Sequence, residues 1–160
     1  MAATTYTQEV RCSADPARLF KALCFDGQDI FAVLLPNTFQ GHEFIKGGRD
    51  TVGGVRKIYF GEGHPYKYAK YRLDEFDVTN LYCKLTTIEG GILSGKYEYI
   101  AQETKIVPSG IGSVCKQATH FMPVAGVALD EEDIEKQQEN MNRMIKTLDV
   151  YLVANPQACA

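Results

Sequence analysis

The sequence predicts an α+β fold in which one long amphipathic helix packs on a curved antiparallel sheet. Three observations predict it. Seven short segments rich in β-branched and aromatic residues follow one another, separated by turns carrying Gly, Asn or Pro. Their spacing suits antiparallel hairpins, not crossover helices. The chain then switches to helical periodicity, with Ile134, Met141, Ile145, Leu148 and Leu152 on one stripe and Met144 and Tyr151 beside it.

Taken in order, Thr4 to Cys12 alternates and reads as the first strand. Asp15-Pro16 then opens a helix, because Asp accepts from free N–H groups and Pro suits the first helical position. Leu19, Phe20, Leu23 and Cys24 form its apolar face, and Asp26-Gly27 is expected to break it. A second short helix, Gln28 to Leu35, should stop at Pro36, so that the two make a V-shaped prop. Further strands are expected at 39–45, 55–60, 66–76, 81–88, 95–107 and 112–121. The acidic run Asp130-Glu131-Glu132-Asp133 suits the positive end of a helix, and Asn155-Pro156 ends it.

One stretch invites a different reading. Lys46 to Lys57, KGGRDTVGGVRK, looks like a loop made to hold a phosphate. A phosphate loop needs its glycines followed by Lys and Ser/Thr at the start of a helix. Here Gly53-Gly54 leads into Val55-Arg56-Lys57-Ile58-Tyr59-Phe60, an alternating strand pattern. The stretch therefore reads as a connection between two antiparallel strands.

Bulk properties narrow the function classes. A chain of 160 residues with 45% hydrophobic and 23% charged residues fits one globular domain, 1–160. A net charge of −3 with scattered basic residues offers no footprint for nucleic acid. No apolar run approaches a signal peptide or a membrane span. The five cysteines, Cys12, Cys24, Cys83, Cys115 and Cys159, are odd in number and form no CxxC pair, which points to free thiols in the cytosol. His42, His64 and His120 lack ligand spacing, so neither a metal nor another cofactor is expected. Nothing in the sequence demands more than a monomer.

Three stretches carry a family resemblance. Asp15-Pro16-Ala17-Arg18-Leu19-Phe20-Lys21-Ala22, Ile88-Glu89-Gly90-Gly91 and Tyr151-Leu152-Val153-Ala154-Asn155-Pro156 occur in that order. With them the chain resembles, over nearly its whole length, the Bet v 1 family of plant pathogenesis-related class-10 proteins. The resemblance implies a helix-grip fold, a seven-stranded sheet wrapped around the long helix with a large apolar cavity between. It also implies binding of small amphiphilic ligands such as cytokinins or flavonoids, by a carrier, reservoir or sensor. Residues 48–54, GRDTVGG, fall on the family's glycine-rich loop, with Asp50 and Thr51 in place of glycines, a change expected to stiffen it.

The cavity-lining positions that the resemblance implies are Phe31, Phe60, Tyr68, Cys83, Leu85, Ile100, Gln102, Met141 and Ile145. Tyr68 is the expected polar anchor, since a tyrosine offers a flat apolar face and one hydroxyl. Lys70, two residues on, shares its strand face. Norcoclaurine synthase is an enzyme of this resemblance class, with a catalytic Tyr, Glu, Lys and Asp. These fall on Tyr68, Lys70, Cys83 and Gln102 here, so only the tyrosine is kept. Cys cannot replace a proton-shuttling Lys, and Gln cannot act as a base, which argues against that reaction. The alternative is another enzyme of specialised metabolism, using Tyr68 and Lys70 as acid–base groups.

Overall fold

The computed structural model describes residues 2–160. Seven strands form one antiparallel sheet: β1 (Thr4–Cys12), β2 (Phe39–Lys46), β3 (Val55–Phe60), β4 (Tyr68–Asp77), β5 (Tyr82–Gly90), β6 (Tyr97–Ser109) and β7 (Gly112–Pro123). The spatial order is β1-β7-β6-β5-β4-β3-β2, so every neighbour except β1–β7 is a hairpin partner. Three helices complete the fold: α1 (Pro16–Lys21), α2 (Gly27–Leu34) and α3 (Glu131–Ala154). The strand boundaries differ from the sequence expectation by at most two residues. A short 3₁₀ turn, Gly91–Leu93, was not expected.

The first helical region departs from expectation. Asp26-Gly27 does not break it. A π-helical turn, Ala22–Asp26, carries the helix through to Leu34, and Gly27 itself has helical dihedrals. Asp15 caps the start as expected, accepting from Ala17 and Arg18 N–H groups. Inserting a π turn reorients the side chains that follow while keeping the backbone bonded. Glycine is also the residue that fits here, because a Cβ at position 27 would lie 2.9 Å from the Ala22 carbonyl oxygen.

The register fixes which residues share each face of the sheet. On the face toward α3, Val10, Cys115 and Ile106 form one cross-strand row. Gln8, Gln117, Thr104, Cys83 and Phe76 form the next. Tyr6, Thr119, Gln102, Leu85 and Leu73 form the third, and Phe121, Ile100, Thr87 and Tyr71 the fourth. The interior rows are therefore apolar at either end and polar in the middle.

Both ends of α3 are tied down. At its start the Asp133 carboxylate accepts from Tyr97 Oη at 2.7 Å and pairs with Lys96 Nζ at 2.6 Å. Near its end the Asp149 carboxylate accepts the backbone N–H groups of Ser13 and Ala14 at 3.0 and 2.8 Å. Arg18 of α1 donates to the carbonyls of Leu152, Asn155 and Ala158, at 3.0, 2.8 and 2.9 Å. Those carbonyls lie at and beyond the helix C-terminus, where two lack an intrahelical donor and a cation is favoured.

Candidate ligand-binding site

Two apolar clusters pack α3 against the sheet. The larger holds Val10, Leu19, Phe20, Phe31, Ile58, Ile106, Cys115, Ile145, Leu148 and Leu152 among its buried members. The smaller holds Leu93, Tyr97, Ile100, Phe121 and Ile134. Between them lies the polar middle of the concave face. Gln102 donates to Gln117 Oε1 at 3.3 Å, and Gln117 donates to Thr104 Oγ1 at 3.2 Å. Gln8 and Tyr6 flank this chain on β1, and Leu85 and Tyr71 flank it on β5 and β4.

The middle is packed less completely than the ends. Ile145, Leu148, Cys115 and Phe121 are wholly buried, whereas Gln8, Tyr6, Leu85, Gln102, Tyr71, Met141 and Met144 keep part of their surface open. These residues all sit on the inward face. Two amide atoms there, Gln8 Nε2 and Gln137 Oε1, are buried without a hydrogen-bond partner. Gln137 lies three residues after Ile134 and four before Met141, so it shares their helix face. A buried amide group without a partner costs free energy that a bound polar group recovers. Burial pushes the Tyr71 phenol up to about 12, so it is a hydroxyl donor at any neutral pH.

Eight of the expected site residues lie on the inward or buried side. Cys83, Leu85, Ile100 and Gln102 are on the inward rows. Phe31 and Phe60 are buried around Phe39, with ring centroids 5.3 and 5.9 Å from it, and belong to the packed wall. Met141 and Ile145 are on the inward side of α3, Met141 partly buried and Ile145 wholly so.

Tyr68 and Lys70 require correction: both are on the outer face. Ala69 and Ile58 pair between β4 and β3 and are both buried, so the alternation turns residues 68 and 70 away from the interior. Tyr68 Oη donates to Glu89 Oε2 at 3.0 Å, and Lys70 Nζ pairs with the same oxygen at 3.1 Å. Lys57 Nζ lies 4.6 Å from the Tyr68 ring centroid. The two residues do share a face, but it is not the face that carries Cys83 and Gln102. Tyr71 is the tyrosine of β4 that points inward. The pairing shift there skips Ile88 of β5 and leaves the alternation of β4 unbroken, with Ala69, Tyr71 and Leu73 on one face.

His64 lies between β3 and β4 and is half-buried. Its ring stacks on Phe60 at 3.7 Å, and burial lowers its pKa. The glycine-rich segment is held by a residue that the sequence reading had not singled out. Arg49 donates to the Phe25 carbonyl at 2.8 Å, pairs with Asp29, and lies over the Phe25 and Phe44 rings. This ties the β2–β3 connection to the π-helical turn and α2.

Comparison with known proteins places this arrangement. Residues 1–155 match the model of the family described as "Pathogenesis-related protein Bet v 1 family". The chain is 36% identical over 160 residues to "Major allergen Pru ar 1" of Prunus armeniaca, covering 99% of each chain. It is 34% identical over 156 residues to "Probable intracellular pathogenesis-related protein T1" of Catharanthus roseus, covering 98% of this chain and 99% of that one. The crystal structure of Ara h 8.0201 superposes with a TM-score of 0.85 at 24% identity, over 96% of this chain and 99% of that one. Norcoclaurine synthase from Thalictrum flavum, in complex with dopamine and hydroxybenzaldehyde, superposes at 0.67 with 22% identity, over 93% and 87% of the two chains, a likeness of fold alone. Family match, full-length relatives and shared architecture agree, and the chain belongs to the Bet v 1 family.

Proposed function

We propose that the protein binds a small amphiphilic plant metabolite or hormone in the space between α3 and the concave sheet, as a carrier, reservoir or sensor in the cytosol. One observation carries this reading. Two buried apolar clusters flank a polar middle of the inward face, where Gln8 and Gln137 keep buried amide atoms without partners. Apolar walls from Leu85, Met141 and Met144 would take the body of the ligand. Its polar end would meet the amide of Gln8 or Gln137, the Gln102–Gln117 chain, or the Tyr71 hydroxyl. The anchor role moves from Tyr68 to these groups. Membership of a family known for small-ligand binding supports the reading. No helix of the described residues is long and apolar enough to cross a membrane.

The enzyme reading loses its acid–base pair, since Tyr68 and Lys70 are paired with Glu89 on the outer face. Native mass spectrometry with a panel of cytokinins, flavonoids and alkaloids, repeated after incubation, separates the two. A ligand retained unaltered is the expected result. A ligand bound and chemically converted would overturn the carrier reading, and no retention of any amphiphile would remove the binding reading itself.

A further inference from the structure

Four of the five cysteines are buried in one apolar cluster, and two of them touch. Cys24 lies in the π-helical turn and Cys83 in β5, 59 residues apart in sequence, with their Sγ atoms 2.8 Å apart. A disulfide bond is ~2.05 Å long, so a further approach of under ~1 Å would join them. The other thiols are arranged differently. Cys115 is paired in register with Val10 and Cys12 with Ser113, so these two are offset diagonally on neighbouring strands. Cys159, near the C-terminus, lies beside the Asp26 carboxylate.

We propose that Cys24 and Cys83 are an oxidisable dithiol, a modification site that a hydroperoxide converts into an intramolecular disulfide. The first thiol attacks the peroxide, giving a sulfenic acid and water, or an alcohol from an organic peroxide. The second thiol then attacks the sulfenic sulfur and expels the hydroxyl as a second water. Two thiol hydrogens are lost, the sulfur pair is oxidised by two electrons, and the peroxide O–O bond is reduced. Burial raises the Cys24 thiol well above its ordinary pKa, so thiolate is scarce and the first step is slow. The second step is intramolecular between atoms already in contact. The bond would tie the π-helical turn to β5. Cys83 lies in the same cross-strand row as Thr104 and Gln117, so the tie would brace a wall of the polar middle.

The native protein, treated with hydrogen peroxide and then alkylated, is read by intact mass and by a non-reducing peptide map. The expected result is a loss of about 2 Da, reversed by dithiothreitol, with the Cys24 and Cys83 peptides joined. The oxidised form should melt about 5–10 °C higher, because the bond closes a long loop. Cys24→Ala and Cys83→Ala should each abolish the mass loss, and Cys159→Ser should keep it. Addition of oxygen without the loss of two hydrogens, or a bond to Cys12, Cys115 or Cys159, would overturn the assignment. The wild-type peptide map decides the question even if an alanine variant folds poorly.

Discussion

The ends of the space beneath α3 and its middle are built on opposite rules. At the ends the polar groups that hold the helix are paired: Asp133 with Tyr97 and Lys96, Asp149 with two backbone N–H groups, Arg18 with three carbonyls. The apolar residues beside them are wholly buried. In the middle, amides line a partly open face and two of their buried atoms have no partner. The contrast teaches that stability and binding are assigned to different stretches of the same helix. The ends hold α3 in place, and the middle is left short of contacts that a ligand can supply.

The largest effect should come from the packed end. Leu148→Ala removes a wholly buried side chain of the larger apolar cluster, which also holds Leu19 and Phe20 of α1. It should cost about 2–5 kcal/mol, read as a fall of the urea midpoint at unchanged slope. A cost under ~1 kcal/mol would mean that this end can collapse, and the comparison would lose its first term.

The start of α3 gives a smaller effect with a pH signature. Burial acts to raise the Asp133 pKa, but hydrogen bonds from Lys96 and Tyr97 outweigh it and hold the carboxyl below its ordinary value. A lowered folded pKa stabilises the protein above the unfolded value, near ~3.9, and that stability is lost as pH falls through the folded value. Asp133→Asn should cost about 1–3 kcal/mol at pH 7. The loss of Tm between pH 5 and about pH 3 should also be shallower in the variant than in the wild type. Parallel Tm curves would show that Asp133 contributes nothing to the acid limb.

Much of this was legible in the sequence, and the failures have physical causes. The helix stripe of Ile134, Met141, Ile145, Leu148 and Leu152 and the Asp15-Pro16 start were readable because each rests on local periodicity or capping. Arg18 was visible within a family motif, but its grip on the end of α3 spans more than 130 residues and has no local pattern. The set Cys83, Leu85, Ile100 and Gln102 came from the family resemblance, and the register puts these residues on inward rows. The resemblance placed Tyr68 inward, whereas the alternation of β4, with Ala69 and Leu73 buried, turns it outward. The glutamines of the middle were hidden for a different reason. An inward Gln reads like a surface residue until the register puts Gln8 beside Gln117.

The middle should respond in the opposite sense from the ends. Gln8→Leu and Gln137→Leu each remove a buried polar atom that has no partner in the protein. Stability should therefore stay within about 1 kcal/mol of wild type or rise slightly. Affinity for an amphiphile identified by native mass spectrometry should fall about tenfold in the variant that loses the ligand's hydrogen bond, the equivalent of ~1.4 kcal/mol. Differential scanning fluorimetry and titration on the same samples give both readings. A Tm drop of many degrees in both variants would show that these amides are structural, and the division between ends and middle would fail.

The smallest expected effect is also the sharpest test of the sheet's two faces. Tyr68 and Tyr71 are three residues apart on β4, yet one hydroxyl bonds Glu89 outside and the other is buried within. Tyr68→Phe removes a hydrogen bond to an exposed carboxylate, so stability should change by under about 0.5 kcal/mol. Affinity for a ligand on the polar middle should not change, because the hydroxyl is engaged with Glu89 on the outer face. Tyr71→Phe keeps the buried ring and removes the donor, so it should weaken a ligand with an acceptor at that end while leaving the fold intact. If Tyr68→Phe were the variant that lost binding, β4 would have to turn its other face inward when occupied. A one-residue slip of that kind would carry Ala69 and Leu73 out of the core, and hydrogen exchange along β3 and β4 would reveal it.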